Sequence, residues 1–166
     1  MVLFVPQTAH ADFPRLRVIP ESELRFGEFA VMDRGYRIVG PTGTVQSVGI
    51  FSTTNSGTGP ARFKVSYDRG NNSRRRLDLK IELRFSATPM QTQGGLVTRL
   101  TQYQTDLPGY STVSAGQAIE ITIPNCVQRA CETTFNLGGR LDVERDSGGG
   151  TVALGIPVDA VLISVK

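Results

Sequence analysis

The run Leu77-Asp78-Leu79-Lys80-Ile81-Glu82-Leu83-Arg84-Phe85 constrains this chain more than any other stretch. Every odd position is apolar and every even one is charged. That period of two belongs to an extended strand, since successive strand side chains point to opposite faces. One face packs and the other meets water, the pattern of an antiparallel sheet with one solvated side. Ala61-Arg62-Phe63-Lys64-Val65-Ser66-Tyr67 repeats the pattern, as do Ala118–Ile123 and Leu141–Glu144. No window carries a helical period over two or three turns. The 18 glycines and 9 prolines in 166 residues supply the punctuation that short strands need. The expectation is a single all-β domain, an antiparallel sandwich of about eight to ten strands with essentially no helix.

Turn signals separate the runs. Asp68-Arg69-Gly70-Asn71-Asn72-Ser73 predicts a hairpin between the flanking strands. Ser52–Pro60 is a polar loop, and Asp146-Ser147-Gly148-Gly149-Gly150 predicts a second hairpin tip. The closing run Thr151–Val165 changes its apolar parity part-way and contains Pro157. A bulge, an edge position or a strand covered on both faces accounts for that.

Residues 1–11 read as the remnant of a secretory signal. An apolar stretch, Met1–Val5, is followed by Pro6 and then by Ala9-His10-Ala11, an A-x-A cleavage pattern. Cleavage there leaves Asp12 first, followed by an extended segment, 12–23, and the sandwich domain, 24–166. The expected location is exported: periplasm, outer surface or extracellular space. Two cysteines, Cys126 and Cys131, agree with that, because a close pair in an exported chain reads as a local disulfide. No stretch approaches the roughly 20 apolar residues of a membrane span.

Chemistry is sparse. The one histidine, His10, falls in the signal remnant, so the mature chain offers no Ser-His-Asp or Cys-His system and no His-based zinc site. There is no phosphate-binding glycine motif. Carboxylate pairs such as Glu82 with Glu120, or Asp142 with Glu144, sit at solvent-facing positions of the alternation, where a shifted pKa is not expected. No enzyme, cofactor or metal role is expected. The net charge of +3 is mild, and its basic residues are interleaved with acidic ones, which argues against a nucleic-acid role. Arg74-Arg75-Arg76 is the one basic run. It reads as a solvated shoulder, or as a contact for an anionic lipopolysaccharide or an acidic patch. Tyr103 and Tyr110 flank a turn and are candidates either for a contact surface or for capping the core.

Leu24-Arg25-Phe26-Gly27-Glu28-Phe29, then Ala61-Arg62-Phe63-Lys64-Val65, then Leu137-Gly138-Gly139-Arg140-Leu141-Asp142-Val143 and a closing strand form an ordered set. This order resembles the bacterial exported family called domain of unknown function 4402, over about residues 24–165. Gly149-Gly150-Thr151-Val152 stands where that family often has Gly-x-Tyr-x-Gly, and Val165-Lys166 where it often ends in an aromatic. The resemblance implies an immunoglobulin-like or pilin-like sandwich at the bacterial surface and brings no catalytic residues.

The functional expectation is therefore a non-enzymatic structural or adhesive protein, a pilin-like surface subunit. Phe13, Leu16, Val18 and Ile19 are the candidate strand-addition segment, through which the chain would self-assemble or join another surface subunit. The alternative is a monomeric module that binds a glycan or surface protein through the loops at 52–60 and 102–116. A carboxylate-dependent hydrolase is the remote third reading.

Overall fold

The computed structural model describes residues 13–52, 57–145 and 150–166. The predicted signal remnant, the centre of the loop after Ser52 and residues 146–149 lie outside the described residues. Thirteen strands and no helix occur among those described. They are β1 (Arg15–Ser22), β2 (Leu24–Val39), β3 (Val45–Phe51), β4 (Thr58–Gly59), β5 (Ala61–Asp68), β6 (Leu77–Phe85) and β7 (Gln91–Gln93). Then follow β8 (Leu96–Thr105), β9 (Thr112–Val113), β10 (Ala118–Cys126), β11 (Ala130–Arg145), β12 (Gly150–Leu154) and β13 (Val158–Val165). The excess over eight to ten comes from β4, β7 and β9, pieces of two or three residues that are too short to show a period.

Two antiparallel sheets make the layers. The larger has the path β1-β5-β11-β2-β12, with β3 and β4 on β2, β8 on β11, and β7 and β9 on β8. The smaller is β10-β6-β13. The alternation of β6 explains the core. Leu79, Ile81, Leu83 and Phe85 are buried, while Asp78 and Arg84 are exposed. Phe85 meets Phe135 of β11 edge-on at 5.9 Å and Tyr103 of β8 at 5.9 Å, and Phe135 stacks on Phe63 of β5 at 5.3 Å. These rings join the layers. Such pairs add about 0.5–1.5 kcal/mol each beyond the area they bury.

β2 shows how one glycine sets the packing. Its buried apolar residues run Leu24, Phe26, Phe29, Val31, a spacing that breaks strict alternation. Gly27 has φ 69, and the register with β12 slips there, from Val152 opposite Gly27 to Ala153 opposite Arg25. The bulge turns the following residues over, so Phe26 and Phe29 face the same core. At Gly138 the need is space. A Cβ there would run into the Val39 carbonyl oxygen and lie 2.8 Å from the Gly40 carbonyl carbon. Here β11 changes partner, from β5 up to Leu137 to β2 from Gly139 onward.

Three sequence expectations need correction. The segment 68–77 is not a hairpin, because β5 and β6 belong to different sheets and the chain crosses between layers there. The strands on either side of the predicted hairpin tip at 146–150, of which residues 146–149 lie outside the described residues, do not form a hairpin either. β11 and β12 both run antiparallel to β2, with Glu144 opposite Arg34 and Gly150 opposite Phe29, so one follows the other along it. The closing run is two strands, not one. β12 lies in the large sheet and β13 at the edge of the small one, with Pro157 in the connection and a register slip between Leu162 and Ser164. Apolar parity changes inside β13, where burial still alternates: Val158, Ala160 and Leu162 are half-buried, whereas Val161, Ile163 and Val165 are apolar side chains on the exposed face.

Candidate functional site

Two surfaces carry organised polar groups, and both come from the strand register. The first is the outer face of β3-β2-β11-β8. Val48, Tyr36, Asp142 and Arg99 lie side by side across those four strands. Arg34, Glu144 and Val97 form the next row. Together with Met90 they line a groove of about 480 Å³. Within it the Arg140 guanidinium lies over the Tyr36 ring, 3.9 Å from its centre. Its Nε and Nη2 donate to Asp142 Oδ1 at 3.0 and 2.9 Å, and Thr101 Oγ1 donates to Asp142 Oδ2 at 2.6 Å. The ring stacking and the two N–H donors converging on one carboxylate oxygen hold the planar cation in place. Met90 and Val48 beside it are 62% and 54% exposed, so the groove combines fixed polar groups with bare apolar ones.

The second surface is the pole where the chain crosses between sheets. The Cys126–Cys131 bridge, with S–S 2.07 Å, ties the end of β10 to the start of β11, which are strands of different sheets. It therefore staples the layers rather than a hairpin. Beside it Arg69 is buried. Its Nη1 donates to the carbonyls of Ser73 at 2.6 Å and Arg75 at 2.8 Å, and its Nη2 to that of Cys126 at 2.7 Å. Asp68 accepts from Gly70 N at 2.8 Å and from Arg129 Nε at 3.3 Å. The Gly70 amide, above all, holds its carboxyl below the usual aspartate range; burial opposes this, and Arg129 adds to the lowering.

The residues singled out from sequence divide among several places. Arg74, Arg75 and Arg76 are exposed on the crossing loop at this pole. Phe13 is 79% exposed and precedes β1. Leu16 and Val18 pack against the core from β1, and Ile19 is 39% exposed. The segment 12–23 thus contains a strand of the chain's own sheet, with Arg15 opposite Asp68 and Val18 opposite Val65 on β5. Tyr103 is buried, and its hydroxyl donates to the Ser86 carbonyl at 2.7 Å, so of its two readings the core one applies. Tyr110 is half-buried against the core, and its hydroxyl accepts from Glu120 N at 3.3 Å. Glu82 and Glu120 do come together, directly opposite across β6 and β10. Each already holds a cation at the surface, Arg84 at 2.7 Å and Lys80 at 2.8 Å.

Sequence reasoning missed Tyr36 and Arg140, which are remote in the chain and meet only through the pairing of β2 with β11. It also missed Arg69, although a signal existed. The parity that buries Phe63, Val65 and Tyr67 points residue 69 inward as well. Arg37 is the stranger case. It is fully buried, 5.9 Å from the Phe29 ring centre, and its three guanidinium nitrogens have no hydrogen-bond partner among the described residues. Burial lowers its pKa. Among the described residues no group of three or more His, Cys, Asp and Glu is placed to hold a metal ion, and no helix is long and apolar enough to cross a membrane.

These features define an all-β, two-layer antiparallel domain with a disulfide between its layers. The chain belongs to the family described as domain of unknown function DUF4402, whose model matches residues 16–160. No curated protein and no solved structure matches it.

Proposed function

We propose that this chain is an exported structural or adhesive protein that acts by surface contact, and that its adhesive form is the working one. The groove over Tyr36, Arg140 and Asp142 carries this reading. It presents a fixed guanidinium and exposed apolar groups on one concave face, the mixture that binding sites use to orient a partner. The disulfide supports export, since such bridges persist in oxidising compartments. The paired surface carboxylates support contact over catalysis, because a carboxylate held by an exposed cation is poorly placed for proton transfer. The test is binding to glycan and surface-protein arrays by wild type, Tyr36→Ala and Arg140→Ala. Loss of captured ligands at an unchanged melting temperature supports the reading. Undiminished capture by both variants contradicts it.

A pilin-like subunit is the second reading, and β13 favours it. This strand pairs only with β6 among the described residues, and Val161, Ile163 and Val165 are 59%, 49% and 41% exposed. An apolar edge strand is a template for strand addition. A proline at Ile163 would block such assembly and leave a monomer.

A further inference from the structure

The crossing pole joins Arg15 and Arg17 of β1, Arg129 after the disulfide loop, and Arg74–Arg76 of the crossing loop. All six are exposed. Two grooves share Arg129 and so adjoin. One of about 210 Å³ is lined by Phe13, Arg15, Arg17 and Asp68, and one of about 690 Å³ by Ser73, Arg74, Val127 and Gln128. Asp68 lies within this cluster, already accepting from Gly70 and Arg129, so the cations outnumber the acids. The walls are also fixed. Arg69 grips the Ser73 and Arg75 carbonyls from beneath, Asn71 Oδ1 accepts from Ser73 N at 3.0 Å, and the disulfide anchors the opposite wall. A solvated charge run needs no such support. Arginine forks on rigid walls suit carboxylate, phosphate or sulfate groups. Phe13 and Val127, 79% and 47% exposed, add apolar surface for the carbon face of a sugar ring. Adjoining grooves suit a chain lying in them better than a flat sheet of headgroups.

We propose that the disulfide-pinned pole is a binding site for anionic saccharide chains, distinct from the groove over Tyr36. Its concentrated positive field would draw in a polyanion, and its arginines, carried on fixed walls, would hold it. The test measures binding of the full chain to polygalacturonate, dextran sulfate and neutral dextran. Polygalacturonate carries carboxylates and dextran sulfate carries sulfates, so the two distinguish the anionic group. Wild type should bind at least one polyanion and not neutral dextran. The double variant Arg15→Gln/Arg17→Gln and the triple variant Arg74→Gln/Arg75→Gln/Arg76→Gln should each weaken Kd by about tenfold or more. The control Arg84→Gln/Arg145→Gln removes exposed charge elsewhere and should change Kd less than about twofold. Melting temperatures within a few degrees of wild type confirm that the variants fold. Failure to bind either polyanion overturns the proposal. So does an equal loss in the control, which would mean attraction by net charge alone. Neither result bears on the Tyr36 groove, which has its own variants.

Discussion

Arg69 Nη2 donates to the main-chain carbonyl of Cys126 across 2.7 Å, so a residue from the crossing between sheets grips the last residue of β10. The same guanidinium holds two carbonyls of its own loop. One side chain therefore fixes where the chain leaves the large sheet, how the crossing loop is shaped, and where the disulfide begins.

Arg69→Ala should cost about 3–5 kcal/mol, because it strips a charged donor from three carbonyls and empties a buried volume. Arg69→Lys should recover only part of the loss, since an ammonium cannot span three acceptors with the same fork. Urea unfolding of both variants measures this. A change below about 1 kcal/mol in Arg69→Ala would show the clamp to be incidental.

Opening the Cys126–Cys131 bridge by Cys→Ser at both positions should cost about 2 kcal/mol by loop closure, since the closed loop is short. The bridge joins two sheets, so protection from hydrogen exchange should fall at the ends of β10 and β11 before it falls in β6. Uniform loss along all strands would mean that the staple acts on the whole fold at once.

Arg37→Met should stabilise the protein. A buried guanidinium without hydrogen-bond partners among the described residues has lost its hydration for little beyond a distant contact with the Phe29 ring, and methionine fills similar volume without a charge. A gain of about 1–3 kcal/mol is expected, seen as a melting temperature raised by several degrees. Destabilisation instead would mean that Arg37 finds an anionic or carbonyl partner in solution.

Asp68 gives a pH signature of known sign. Its folded pKa lies below the unfolded value, so its stabilising contribution is complete above the usual aspartate range. It is lost as pH falls through that range and into the depressed folded value. Asp68→Asn should therefore flatten the acid limb of stability against pH while leaving its shape above neutrality unchanged. An identical acid limb in the variant would place the titration elsewhere.

What the sequence revealed follows from the range of each signal. Alternation is local, so β5, β6 and β10 were visible in Phe63, Leu79–Phe85 and Ile119–Ile123, and with them the all-β class. Sheet membership is not local. Nothing near Asp68 says that β6 joins a different layer from β5, and nothing near Gly148 says that β12 continues along β2. The cysteine spacing announced the bridge but not that it crosses layers. Arg74–Arg76 could be seen as a run, whereas their neighbours Arg15, Arg17 and Arg129 are gathered only by folding. Tyr36 and Arg140 stayed hidden for the same reason, being brought together only by the register of β2 with β11.

With β1 paired to β5 and β13 paired to β6 inside one molecule, the chain completes its own fold, and the proposed contact role needs no strand from a neighbour. The direct measurement is light scattering with intact mass on residues 12–166 purified after periplasmic expression. A stable monomer, lighter than the reduced chain by the hydrogens lost to one disulfide, is the predicted result. Ladders or filaments that disappear when residues 12–23 are deleted would contradict it, because β1 would then be serving a neighbour's sheet.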